Sequence, residues 1–205
     1  MQDSITPKKA LEILEEGNKR FVSNLKINRD LLRQANETSK EQHPFAVILS
    51  CIDSRTSAEL IFDQGLGDVF SIRIAGNIIN EDILGSMEFG CKLAGSKIIV
   101  VLGHTNCGAI KGACDNVELG NLTGLVKKIL PAVSDELTET KNRNSTNPSF
   151  VDKVTTINVK KTVNGIIEKS PILLEMLKSK EIGIVGAVHN ITTGEVHFDK
   201  DSFIL

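Results

Sequence analysis

The chain has 205 residues, 40% of them hydrophobic, enough to bury one sizeable core as a single domain. Its 24 basic and 26 acidic residues are interspersed, for a formal net charge of -2, so no basic stripe stands ready to neutralise phosphates, and Trp and Tyr, two of the usual base-stacking residues, are absent. These features argue against nucleic acid as a partner, and no stretch approaches the roughly 18 consecutive apolar residues of a membrane span.

The first nine residues are polar and lack the apolar run of a secretory signal, so a cytoplasmic location is expected. In that reducing setting the four Cys are thiols or metal ligands rather than disulfides. Residues 6–22 carry Leu11, Leu14 and Phe21 at helical spacing, with Thr6 placed as N-cap and Pro7 in the first turn. They predict an N-terminal helix whose apolar face is covered by the domain or by a neighbouring subunit. Residues 27–43 are polar and patchy, a connector with room for one short helix.

From Phe45 to Leu49, and again from Lys97 to Leu102, short apolar runs rich in β-branched residues predict central, buried strands. Between them the pattern predicts a helix around 58–64, a strand around 69–74 and a helix around 83–93. Such alternation implies a parallel sheet with right-handed crossovers. Residues 138–149 lack apolar side chains and predict an exposed loop between helices. A strand follows at 182–188, and Glu195 to Phe198 returns antiparallel beside it after the Thr193-Gly194 turn. The expected fold is α/β, one domain over residues 1–205 with a central, mainly parallel sheet flanked by helices. Residues 1–43 supply a helical arm and connector, and 44–205 the core.

Two short motifs follow the two most strand-like runs: Cys51-Ile52-Asp53-Ser54-Arg55 and His104-Thr105-Asn106-Cys107-Gly108. Ligand sites of open parallel sheets form beyond the carboxyl ends of the strands, where both motifs fall. Cys51 and Asp53, two residues apart, leave an extended segment on the same side. A helix beginning near Asn106 would bring His104 and Cys107 together at its first turn, where the helix dipole favours a thiolate. A single Cys after a buried strand is more often a small core residue. Two such strand ends with an accompanying Asp-x-Arg pair point instead to a metal. Three N/S donors suit zinc, and a set of three leaves the fourth position that a catalytic ion needs.

The chain resembles the β-class carbonic anhydrases. The resemblance rests on Cys51-x-Asp53-Ser54-Arg55, on Phe62-Asp63-Gln64-Gly65-Leu66-Gly67-Asp68, on Arg73-Ile74-Ala75-Gly76-Asn77, on Glu88-Phe89 and on Val101-Leu102-Gly103-His104-x-x-Cys107-Gly108. It implies a Zn2+ cofactor on Cys51, His104 and Cys107, with hydration of carbon dioxide to bicarbonate and a proton through zinc-bound hydroxide. It makes Asp53 and Arg55 the catalytic carboxylate and guanidinium beside the metal, and assigns Gln42, Phe70, Phe89 and Gly108 to the substrate pocket. It also implies a homodimer or a dimer-based higher oligomer with pockets at the subunit interface. Asp53 retains two roles, fourth ligand in a closed site or hydrogen-bond acceptor in an open one, and a bidentate pair with Arg55 would select the second. Two rivals stand beside this reading: a zinc hydrolase of carbon disulfide or carbonyl sulfide, and a non-catalytic zinc or thiol sensor.

Departures from the family pattern carry their own expectations. Phe89 stands where Tyr is frequent, and Thr56-Ser57-Ala58 replaces Val-Pro-Pro or Val-Pro-Ala, which predicts a looser turn. Some relatives hold a regulatory bicarbonate with a Trp, an Arg and a Tyr. Ile48 and His189 replace two of these and only Arg73 remains, so no such site is expected. Cys91 and Cys114 are expected as core thiols, and His43, His189 and His197 as structural side chains rather than proton relays. Gly65 and Gly67 mark a turn, not a phosphate loop.

Overall fold

The computed structural model describes residues 5–204; the first four residues of the polar opening stretch lie outside the described residues. One five-stranded sheet organises the chain, built from β1 (Ala46–Ser50), β2 (Val69–Arg73), β3 (Ile98–His104), β4 (Gly183–His189) and β5 (Val196–Ile204). The spatial order is β2-β1-β3-β4-β5, parallel except for β5, which returns antiparallel against β4. This is the mainly parallel α/β sheet expected from the alternation of runs. The closing turn has Gly194 at a φ of 81°, a left-handed conformation open to glycine at little cost.

The pleat explains why β1 and β3 read as continuous apolar runs. Successive side chains enter opposite faces, and both faces are covered. Val47, Leu49, Ile99, Val101 and Ile184 pack on one side with residues of α4 (Glu81–Glu88), α7 (Pro148–Lys169) and α8 (Pro171–Lys178). Ala46, Ile48, Ile98, Val100, Leu102, Val185 and Ala187 pack on the other with α1 (Pro7–Val22) and α3 (Ala58–Ile61). A third cluster lies beyond the carboxyl ends, where α5 (Gly108–Cys114), α6 (Gly120–Asp135) and α7 enclose Cys51 and Cys107.

The amino-terminal helix is part of the domain, because Ala10, Leu11 and Leu14 belong to the core below the sheet. Thr6 caps it, its hydroxyl accepting the Lys9 amide at 3.1 Å. The polar side of the arm is tied down by Asp63, whose carboxylate accepts from Arg20 Nε at 2.5 Å and Arg29 Nη1 at 2.6 Å. The connector holds one short helix, α2 (Leu31–Glu37), which buries none of its residues.

Element boundaries shift where tertiary contacts override local pattern. The helix expected over 58–64 is the single turn α3, because Asp63 takes a left-handed φ of 46° and turns to its two arginines. The helix expected over 83–93 begins earlier, with Asn80 accepting the Ile83 amide, and widens into a π-helical turn over Phe89–Leu93. The loop expected over 138–149 gives up its last two residues to α7, whose N-cap Asn147 accepts the Phe150 amide. β5 extends to Ile204, well past the four residues anticipated.

Candidate metal centre

Three side chains converge at the carboxyl ends of β1 and β3. The donor atoms of Cys51, His104 and Cys107 all lie within 4.8 Å of one another, and the two sulfurs are 3.9 Å apart. A tetrahedral ion with metal–sulfur bonds of about 2.3 Å requires sulfurs about 3.8 Å apart, so the spacing fits. All three residues are buried, at 4%, 1% and 1% exposure respectively. Among the described residues this is the one His/Cys/Asp/Glu cluster with metal-ligating geometry.

Local structure sets each donor. His104 ends β3, and its Nδ1 lies 2.9 Å from the Thr105 carbonyl. A carbonyl only accepts, so Nδ1 carries the proton and Nε2 presents a bare lone pair. That buried Nε2 has no hydrogen-bond partner in the protein, as a ligand nitrogen should not. The turn between His104 and Cys107 differs from the expected helix start at Asn106. Asn106 adopts a left-handed φ of 57°, Cys107 is the N-cap, and α5 begins at Gly108.

The two thiols compete for charge. The Cys107 thiol beside Cys51 holds the Cys51 thiol well below the usual thiol range. Cys107 is pushed up, first by Cys51 and then by burial, although the amides of Ala109 and Ile110 work against that rise. Cys51 also receives the Gly76 amide at 3.4 Å. Two thiolates this close in a buried site repel, and a divalent cation between them removes the penalty.

Asp53 stands beside the cluster without joining it. Arg55 grips it in a fork, Nε to Oδ1 at 2.9 Å and Nη2 to Oδ2 at 2.7 Å, and the Arg55 amide adds a bond to Oδ1 at 3.0 Å. Arg55 therefore holds this carboxyl well below the usual carboxylate range. The fork selects the arrangement in which the carboxylate is drawn away from the donor atoms.

The four residues expected in the substrate pocket divide. Gly108 opens α5 next to Cys107, with open space where a Cβ would stand. Phe70 registers with Val47, four residues before Cys51 and so about 13 Å back along the strand. Phe89 packs edge-on against Phe70 at 6.1 Å between ring centroids and is 53% exposed. Gln42 is exposed in the connector ahead of β1. Within one chain, Gln42, Phe70 and Phe89 lie apart from the Cys51–His104–Cys107 cluster.

Two residues that the sequence did not mark as supports hold the site's backbone. Arg73 donates to the carbonyls of Cys51 and Asp53, and the buried Thr56 hydroxyl donates to Asp53 O at 2.9 Å. The turn after Arg55 is therefore held by a side-chain bond, where a looser turn was expected. Gly76 was visible only as a motif letter. Its φ of 67° and the approach of Ile129 Cδ1 to within 2.6 Å of an added Cβ show why glycine is favoured there.

The other cysteines and histidines stay outside the cluster. Burial pushes Cys91 to about 12 and Cys114 to about 11, so both remain protonated thiols. His189 registers opposite His104 at 3% exposure, and burial, against the pull of the Asp53 carboxylate, lowers its pKa to about 4.

Comparison with known proteins gives one answer. Residues 46–196 match the family model described as carbonic anhydrase. A carbonic anhydrase of Mycolicibacterium smegmatis is 34% identical over 193 residues, covering 93% of this chain and 92% of that protein. A β-carbonic anhydrase structure from Aspergillus fumigatus superposes with a TM-score of 0.74 at 24% identity, over 94% of this chain and 90% of that one. Structures of tetrameric β-carbonic anhydrases from Sordaria macrospora give 0.69 at 21% identity, over 82% and 90%. With the family model spanning the sheet from β1 to the start of β5 and both Cys/His motifs inside that span, the chain belongs to the β-class carbonic anhydrase family.

Proposed function

We propose that this chain is a zinc-dependent carbonic anhydrase that interconverts carbon dioxide and water with bicarbonate and a proton. The observation that carries the reading is the buried convergence of two thiols and one bare imidazole nitrogen within 4.8 Å, beside a carboxylate held by its own arginine. Two sulfurs and one nitrogen are donors that zinc prefers, and a set of three leaves one position exchangeable. Bound zinc supplies a Lewis acid that acidifies water and makes a nucleophile available near neutral pH.

The protein's own groups do the positioning. The bond from His104 Nδ1 to the Thr105 carbonyl orients the imidazole, and the Gly76 amide supports charge on Cys51. Arg55 keeps Asp53 from occupying the exchangeable position, which a permanently closed sensor would require. Asp53 Oδ2 accepts one bond from Arg55, which leaves it a lone pair to accept from the reacting water and so to align it for attack on the carbon. Two thiolates give the metal more negative charge than neutral imidazoles would, so activity should rise on the alkaline side.

Gln42, Phe70 and Phe89 lie apart from the donors of their own chain, which favours a homodimer or a dimer-based assembly whose pocket draws on two copies. The tetrameric Sordaria macrospora proteins offer a precedent for such assembly. Thiol ligands suit a reducing, cytoplasmic setting. The test is stopped-flow hydration of carbon dioxide by metal-quantified protein at neutral and mildly alkaline pH. Turnover that scales with zinc occupancy is the expected result; full occupancy without turnover at either pH would overturn the proposal.

A further inference from the structure

The segment from Cys51 to Asp53 carries a metal donor at one end and the arginine-bound carboxylate at the other, and its backbone is gripped from two directions. From the edge strand β2, Arg73 Nε donates to Cys51 O at 3.1 Å and its Nη2 to Asp53 O at 2.6 Å. From the following turn, Thr56 donates its amide to Asp53 O at 3.0 Å and its hydroxyl to the same oxygen at 2.9 Å. That hydroxyl also lies 3.3 Å from Cys51 O, too long for more than a minor share of its hydrogen. Thr56 is 1% exposed, so no solvent replaces its donor if the hydroxyl is removed. Valine has nearly the same shape and no donor.

We infer that Arg73 and Thr56 are positioning residues that clasp the Cys51–Asp53 segment, presenting sulfur and carboxylate from one stiff loop. The clasp is a consequence of this chain's own threonine and of an arginine whose donors serve two carbonyls at once. A fork that bridges two carbonyls cannot be copied by a single ammonium. The inference rests on reading Cys51, His104 and Cys107 as a zinc site, since its effect is on how firmly Cys51 keeps the ion. A metal leaves such a site when one ligand swings away, and a clasped backbone makes that movement rarer.

The experiment measures the rate at which zinc-loaded full-length protein surrenders zinc to a chromophoric chelator, with thermal midpoints alongside. Thr56→Val should release zinc about fivefold faster, the factor carried by one ordinary hydrogen bond. Thr56→Ser should return to within about twofold of wild type, because it restores the donor. Arg73→Lys should release zinc roughly five- to tenfold faster, having lost one of two bonds. Wild-type release rates in both Thr56→Val and Arg73→Lys would overturn the clasp while leaving the metal site standing. Faster release that serine does not rescue would assign the effect to packing and also overturn it. A wild-type chain that takes up no zinc would overturn the metal reading, and the clasp with it.

Discussion

Two aspartates among the described residues are held by arginine, and they differ in almost everything else. Asp53 is bound by Arg55, two residues away, whose side chain is 51% exposed. Asp63 is 3% exposed and is bound by Arg20 and Arg29, which arrive from the amino-terminal arm 43 and 34 residues earlier. The local pair closes no long loop and forms at the solvent boundary, so it can be made and broken without disturbing the fold. The remote cluster closes the arm onto the core and desolvates its carboxylate. One chemistry thus serves two ends: a locally held carboxylate beside the Cys51–His104–Cys107 cluster, and a long-range tie that holds the arm.

The sharpest way to separate them is to remove each carboxylate's charge in turn. Asp63→Asn leaves two arginines facing an uncharged, buried amide, and should cost about 3 kcal/mol of stability. For a chain of this size that lowers the thermal midpoint by about 6–12 °C, readable by calorimetry, while zinc content and turnover of the folded fraction stay at wild type. Asp53→Ala should reverse the pattern. Carbon dioxide hydration at neutral pH should fall about 10- to 100-fold by stopped flow, with the thermal midpoint within about 2 °C of wild type. A large loss of stability from Asp53→Ala, or of turnover per folded molecule from Asp63→Asn, would erase the contrast.

Smaller effects refine it. Arg55→Lys keeps the charge but loses the fork, and hydration should fall about threefold to tenfold with zinc fully retained by metal analysis. Acid offers a further test. Burial alone would raise the Asp63 pKa, but the bonds from Arg20 and Arg29 prevail and hold it below the usual carboxylate value. A carboxylate with a depressed folded pKa stabilises fully above its unfolded value, about 3.9, and that contribution is lost as pH falls through the folded pKa. The stability gap between wild type and Asp63→Asn should therefore be constant from neutral pH to about pH 5 and narrow below about pH 4, as followed by urea unfolding.

The comparison also marks what could be seen in the sequence. The runs at Phe45 to Leu49 and Lys97 to Leu102 announced buried parallel strands because both faces of β1 and β3 are covered, and that burial is what removes alternation from a strand. Once those strands were placed, Cys51 and His104 had to emerge at the same edge, and the Asp53–Arg55 pair was legible because its members are local. Asp63 appeared only as a motif letter, since its partners are far away in the chain and no periodicity links them. Arg73 and Thr56 were missed as supports for another reason: their acceptors are backbone carbonyls, which leave no compositional trace. The short α3 and the π turn at Phe89 escaped detection because tertiary demands, the turn of Asp63 toward its arginines among them, outweigh local propensity.

The central claim, that Cys51, His104 and Cys107 hold the ion on which hydration depends, is tested most directly with Cys107→Ser beside wild type, each assayed for zinc per chain and for stopped-flow carbon dioxide hydration at mildly alkaline pH. The account predicts one zinc per wild-type chain with rapid turnover, and a folded variant that loses both together. A Cys107→Ser protein that keeps its zinc and its turnover would contradict it.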